Sequence, residues 1–238
     1  MSYIKTRIAL PNDFRRVMEL MCQAYFKKEP SLVNIGLASE EQPPPILLNL
    51  MYQQLREGMT IIAEDRENCI VGAAINAGSC PWEPENLIEY AERCERGSVR
   101  DILKFYAYVT QAPQLWNKYC VLKIFDCASV AVDSKYLGMG IAKRLVKESW
   151  YLARDCGYQA FRIDCTSLYT AKIAEGFGWE CVFAVSYRRY IDSGGLVFKC
   201  IEEPHTEVRV FADRPLICKD YCISNPDSCK IGTVPRGK

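Results

Sequence analysis

The chain is poor in histidine: among 238 residues there is one, His205. It also lacks a surplus of either charge, with 30 basic residues against 29 acidic ones and a net charge of +1. Such a balance provides no broad basic field, so nucleic acid is not expected as a partner. No apolar run approaches the roughly 18–20 residues of a membrane span, and the first residues lack the apolar stretch of a secretion signal. The expectation is a soluble, cytoplasmic monomer with no membrane partner. Nothing reads G-x-x-x-x-G-K-[ST], which leaves out a Walker phosphate loop. Internal repeats and low-complexity blocks are absent as well.

Cysteine, by contrast, is abundant, at 13 residues. Cys22, Cys120, Cys127, Cys165, Cys181 and Cys200 sit in apolar segments. Free cysteine packs as a small hydrophobe, so these read as reduced core thiols. Cys218, Cys222 and Cys229 lack the paired C-x2-4-C spacing of a zinc site, and His205 is too far along the chain to judge as a partner. No metal is expected.

With 49% apolar residues the chain has enough material for one sizeable core. Residues 3–9 alternate as a strand. A helix follows, with Asn12 as its cap and Phe14, Val17, Met18, Met21 and Tyr25 on one face. It stops at Glu29-Pro30, because a residue before proline is pushed out of helical geometry. A proline-rich loop leads to a second helix over 47–55. Residues 60–63 and 70–77 read as an antiparallel hairpin. Residues 85–118 are helical in pattern and carry aromatic side chains. A strand over 121–132, a helix over 141–156, a strand over 159–165, a short helix over 167–175 and a strand over 180–191 follow. Two shorter strand-like runs cover 196–201 and 207–212. The class is α/β, a mixed sheet with helices on both faces. Residues 1–217 form one domain with a helical insert over 82–119, and 218–238 form a tail.

The segment Val130-Ala131-Val132-Asp133-Ser134-Lys135-Tyr136-Leu137-Gly138-Met139-Gly140-Ile141-Ala142 carries the most information. It reads as a buried strand, a tight glycine turn and the first turn of a helix. Backbone N–H groups then converge at a helix N-terminus, which suits a phosphate or pyrophosphate. A dinucleotide fingerprint would need a third glycine where Lys143 stands. A plain strand-to-helix turn that binds nothing is the alternative.

In its wider context (strand, L-G-x-G-x-A, long helix, strand, short helix, then Gly176-Phe177-Gly178-Trp179) the chain resembles the GNAT superfamily of acetyl-CoA-dependent N-acetyltransferases. The superfamily's [QR]-x-x-G-x-[GA] falls on Leu137 to Ala142, with Leu137 in place of Arg or Gln and Ser134 in place of an upstream proline. Two segments narrow the match to the insect arylalkylamine N-acetyltransferases. Tyr25-Phe26-Lys27-Lys28-Glu29-Pro30 is similar to that group's F-x-x-E-P. Cys165-Thr166-Ser167-Leu168-Tyr169-Thr170-Ala171 is similar to its C-S-S-x-Y-S-A.

The resemblance implies a GNAT fold and acetyl-CoA as co-substrate. Its pyrophosphate would be held by main-chain N–H groups of Leu137, Gly138, Met139, Gly140, Ile141 and Ala142, and its pantetheine arm would lie along Val130, Ala131 and Val132. Glu29 is the candidate general base. It ends a helix whose negative dipole end disfavours a second negative charge and favours proton uptake. Thr166 and Thr170 stand at two of the group's serine positions, and Ser167 serves either as a helix cap or in catalysis. No tyrosine precedes Glu175, where many members carry a general acid; Ala174 stands there.

The implied acceptor is a small primary amine. Tyr25, Phe26 and the aromatic residues of the insert would wall a pocket for an arylalkylamine such as dopamine, serotonin or tyramine. Glu29, Glu40 and Glu41 would instead suit agmatine or a polyamine. A protein acetyltransferase and a non-catalytic acyl-CoA-binding sensor are further alternatives.

Overall fold

A computed structural model describes residues 3–192, 195–199 and 201–216. The expected tail, with Cys218, Cys222 and Cys229, lies outside the described residues, as does Cys200. Seven strands form one sheet: β1 (Lys5–Ile8), β2 (Ile61–Glu64), β3 (Ile70–Ser79), β4 (Ile124–Val132), β5 (Phe161–Cys165), β6 (Glu180–Ser186) and β9 (Glu207–Asp213). A separate two-residue ribbon pairs β7 (Ile191–Asp192) with β8 (Gly195–Leu196). The helices are α1 (Phe14–Leu20), α2 (Pro30–Asn34), α3 (Pro45–Leu55), α4 (Glu83–Arg93), α5 (Ser98–Gln111), α6 (Leu115–Tyr119), α7 (Ile141–Asp155) and α8 (Leu168–Gly176). None of them is long and apolar enough to cross a membrane.

The sheet order is β1-β2-β3-β4-β5-β9-β6. Every adjacent pair is antiparallel except β4 and β5, which run parallel. That one parallel pair is the feature on which the site depends. It holds for two rungs, Phe125↔Phe161 and Asp126↔Arg162, and then the strands diverge. The β3–β4 ladder supplies a cause: its register jumps between Ile75↔Ser129 and Asn76↔Cys127, leaving Ala128 as an extra residue. A bulge of this kind bends its strand and increases the local twist.

The bulge also resets the side-chain alternation. Phe125 and Cys127 pack on the face covered by α7, with Leu145 and Val146. Ile124 and Ala131 pack on the opposite face, against residues of α1, α3 and α5 such as Val17, Leu55 and Phe105. Residues 124 and 131 differ by an odd number, so only the extra residue lets them share a face. Both faces are covered, and β3 therefore reads Ile-Val-Gly-Ala-Ala-Ile with no polar alternation. Gly72 lies where α7 crosses closest; a Cβ there would meet Ile141 and Leu145 at 3.1 Å.

Several expectations need correction. Asp13, and not Asn12, closes the first helical turn: its carboxylate accepts from Leu10 N at 2.8 Å and is bonded by Arg7. The helix after it does not run evenly to Glu29. It widens into a π turn over Met21–Tyr25, with Phe26 N bonding Met21 O. Directly after Glu29, where a loop was expected, lies α2, started by Pro30; proline's missing N–H is no loss at the first helical position. The strand expected over 180–191 ends at Ser186 and passes into a 3-10 turn, and among the described residues of the run 196–201 only Leu196 pairs. Cys120 and Cys181 are exposed, because Cys120 caps α6 in left-handed geometry and Cys181 lies on the edge strand β6; Cys127 and Cys165 are buried as expected.

Candidate active site

The glycine turn has the expected form. After β4, Asp133 accepts from Lys135 N at 2.9 Å and opens a 3-10 turn over Ser134–Tyr136. Tyr136 donates to Asp65 at 2.7 Å, which ties the turn to the β2–β3 hairpin. Gly138 and Gly140 both take left-handed backbone, with φ of 78° and 76°, and Gly140 caps α7. A Cβ on either would meet nothing within 4 Å, so glycine is needed there for conformation and the space above the turn is open. The first amides of α7, at Ile141 and Ala142, have no partner within the helix by construction. Leu137 is 62% exposed, so its departure from Arg or Gln leaves the packing untouched.

Val130, Ala131 and Val132 pair with Ala74, Ala73 and Gly72 of β3 on one side. On the other side the ladder to β5 has already ended at Asp126. This segment of β4 therefore forms one arm of a fork whose opening lies just before the glycine turn.

At the fork, on the face of α3, α4 and α5, lies a cavity of about 350 Å³. Tyr25 and Phe26 reach it from the π turn and Thr166 from the end of β5. Ser129 and Ala128 contribute the β4 wall, and Tyr106 closes the α5 side. The aromatic walls expected from Tyr25, Phe26 and the insert are thus present. Ser167 and Thr170 are not part of the lining. Ser167 instead caps α8, accepting from Thr170 N at 3.1 Å, with the two hydroxyl oxygens 3.0 Å apart.

Glu29 is 4% exposed. Its Oε2 accepts from Ser31 Oγ at 2.5 Å and from Leu32 N at 2.7 Å, while Oε1 is sealed from solvent without a hydrogen-bond partner. The dipole expectation is reversed. Glu29 does not sit at the negative end of α1; it is the N-cap of α2, and its carboxylate meets an amide at the positive end. Ser31 connects it to the cavity, because the Tyr106 hydroxyl lies 3.4 Å from Ser31 Oγ. Burial first, and the Glu29 charge second, push the phenols of Tyr25, Tyr106 and Tyr187 up, so all three are neutral hydroxyls at ordinary pH. Tyr187 donates to Thr166 O at 3.2 Å.

Other residues of the site were not singled out from the sequence. His205, which is not part of the lining, accepts at Nδ1 from Leu168 N at 3.2 Å, and burial pushes its imidazole down. Asp126, Asp164, Glu83 and Glu57 all line the cavity. Arg162 is buried behind them, bonded to Asp164 through Nε at 2.7 Å and Nη2 at 2.5 Å. The one available signal was an aspartate inside the apolar run of β4, since a charge on a buried strand is uncommon without a partner or a task.

No protein-family model matches the chain. Comparison with solved structures gives arylalkylamine N-acetyltransferase 2 from Aedes aegypti at 24% identity and TM-score 0.83, covering 89% of this chain and 99% of that one. A mosquito arylalkylamine N-acetyltransferase like 5b matches at 23% identity and TM-score 0.82, covering 89% and 100%. A Drosophila melanogaster polyamine N-acetyltransferase, which catalyses formation of N-acetylagmatine, matches at 22% and 0.80, covering 89% and 100%. The chain has the fold of these N-acetyltransferases, as its resemblance to the GNAT superfamily implies.

Proposed function

We propose that this protein is an acyltransferase that moves an acetyl group from acetyl-CoA to the nitrogen of a small primary amine, with Glu29 as general base. The observation that carries this reading is the sealed, unpartnered Oε1 of Glu29 behind a cavity that opens at a strand fork. The bound thioester supplies the activated acyl group. Main-chain amides from Gly138 to Ala142 hold its pyrophosphate, the Leu137 amide being bonded to Ser134 O, and the open edge of Val130 to Val132 takes its extended arm as a further strand would be taken.

An alkylamine resembling lysine has a pKa near 10.4, so presenting its neutral form at pH 7 costs roughly 4–5 kcal/mol. A base that removes the proton offsets part of this cost. Glu29 accepts that proton from the Tyr106–Ser31 side of the cavity, where the Ser31 hydroxyl bonds its Oε2, and Leu32 N holds the same oxygen in place. Tyr25 and Phe26 hold the body of the amine. Thr166, a residue of the cavity lining, serves the departing thiolate, which needs little help because a free thiol has a pKa near 8.5. The neighbours of this fold named for amine acetylation support the same reaction class.

The test is release of free thiol from acetyl-CoA with a panel of dopamine, serotonin, tyramine, agmatine and spermidine. Saturable release with one or more of them is expected. Tight acetyl-CoA binding with no release would replace the reading with that of an acyl-CoA-binding sensor.

A further inference from the structure

The cavity's charge goes beyond what acetyl transfer to a generic amine requires. Its wall carries four carboxylates, Glu57, Glu83, Asp126 and Asp164, from α3's end, α4, β4 and β5. One cation, Arg162, lies behind them and is committed to Asp164, with its remaining contacts going to Thr110 and the Val109 carbonyl. Glu57 accepts from Gly78 N at 2.8 Å and Glu83 from the Ser79 hydroxyl. Asp126 is different: its Oδ1 is shut off from solvent and has no hydrogen-bond partner. A buried carboxylate oxygen left bare is unfavourable unless something that is absent from the free chain completes it. Asp126 sits on the last rung of the fork, opposite Arg162, three residues from Ser129 on the same face. Across the bulge that separation is two rungs of β3, from Ala77 to Ile75, or roughly 7 Å at about 3.3 Å per residue, the span of a short alkyl chain.

Resting on the transferase reading above, we propose that the accepted amine carries a second positive charge, an ammonium or guanidinium group held by Asp126 and Glu83. Its reacting nitrogen lies at the Tyr25–Ser129 end of the cavity, and its charged far end meets Asp126, whose Oδ1 has no hydrogen bond to give up. Tyr90, Tyr106 and Leu87 flank the stem between the two ends. The ring of an arylalkylamine would instead set an apolar edge against two carboxylates. Burial pushes the carboxyls of Asp126 and Glu83 up, which is the electrostatic pressure that a bound cation relieves.

The cleanest probe is a matched pair, 1,5-diaminopentane against pentylamine, which differ in the terminal ammonium alone. Thiol release gives kcat/KM for each, and calorimetry with the full chain gives binding without turnover. The parent is expected to prefer the diamine by about 30-fold or more, as for other buried charge pairs. Asp126→Asn and, separately, Glu83→Gln are expected to pull that ratio to within about threefold, chiefly through KM. Thermal melting confirms that each variant is folded, and two variants on different elements guard against the loss of one. A parent ratio near one, or a ratio unmoved by both substitutions, would overturn the proposal while leaving acetyl transfer in place. Saturable binding of the diamine but not of pentylamine, with neither acetylated, would uphold the cation site and overturn the transferase reading.

Discussion

Ser31 Oγ donates a 2.5 Å hydrogen bond to Glu29 Oε2, so one oxygen of the proposed base is clamped and the other is left bare. The clamp follows from chain direction. Pro30 starts α2, Glu29 becomes its cap, and the residue two positions on turns back to its carboxylate. Ser31→Ala removes one of two bonds to Oε2, with Leu32 N retained. Turnover is expected to fall about tenfold at saturating amine with KM little changed, because the loss concerns orientation of a base rather than substrate binding. Ser31→Thr should restore most of it. A loss confined to KM would speak against positioning.

Gly140→Ala tests the glycine turn. With φ at 76° an alanine is strained by roughly 1–2 kcal/mol, and no neighbouring atom adds a clash. The expected results are a lower melting temperature and weaker coenzyme A binding by calorimetry, since the turn that aims the amides is the part that shifts. Unchanged affinity would place the coenzyme elsewhere.

Ser167→Ala separates capping from chemistry. Its hydroxyl accepts from Thr170 N, the geometry of an N-cap, and such caps contribute about 1 kcal/mol. Stability should fall by that amount and turnover should stay within about threefold. A hundredfold drop in turnover with the same stability change would give the hydroxyl a part in the reaction.

Asp126→Asn should stabilise the free protein at alkaline pH. The native carboxyl is held above its ordinary value by burial, reinforced by Asp164, Glu83 and Glu57 and opposed by Arg162. An unfolded aspartate loses its proton near pH 3.9. Above that value the unfolded state binds fewer protons than the native state, so parent stability declines as pH rises. Asparagine has no such dependence. Melting temperatures should therefore favour the variant at pH 8, with the gap closing toward pH 4; a gap that widens on acidification would contradict the assignment.

What the sequence revealed was local. Gly138, Gly140 and the helix after them were legible because strand, turn and amphipathic helix follow one another within 30 residues. Glu29 was legible as the residue at which a helix must stop, and its environment was misplaced. Pro30 signals the end of one helix and the start of another with equal force, and only packing decides that both occur. The carboxylates around the cavity were not legible as a set. Asp126, Asp164, Glu83 and Glu57 come from four elements, and a one-residue bulge at Ala128 decides which face of β4 is presented. His205 is brought to Leu168 by a loop that no local pattern positions.

The most direct test is acetyl transfer by Glu29→Gln, followed as thiol release at saturating acetyl-CoA and amine over a range of pH. Glutamine keeps an oxygen for Ser31 and Leu32 but cannot take up the amine's proton. Turnover at neutral pH should fall about 100-fold or more and recover as alkaline pH supplies the neutral amine directly. Parent-like turnover at neutral pH in this variant would contradict the account.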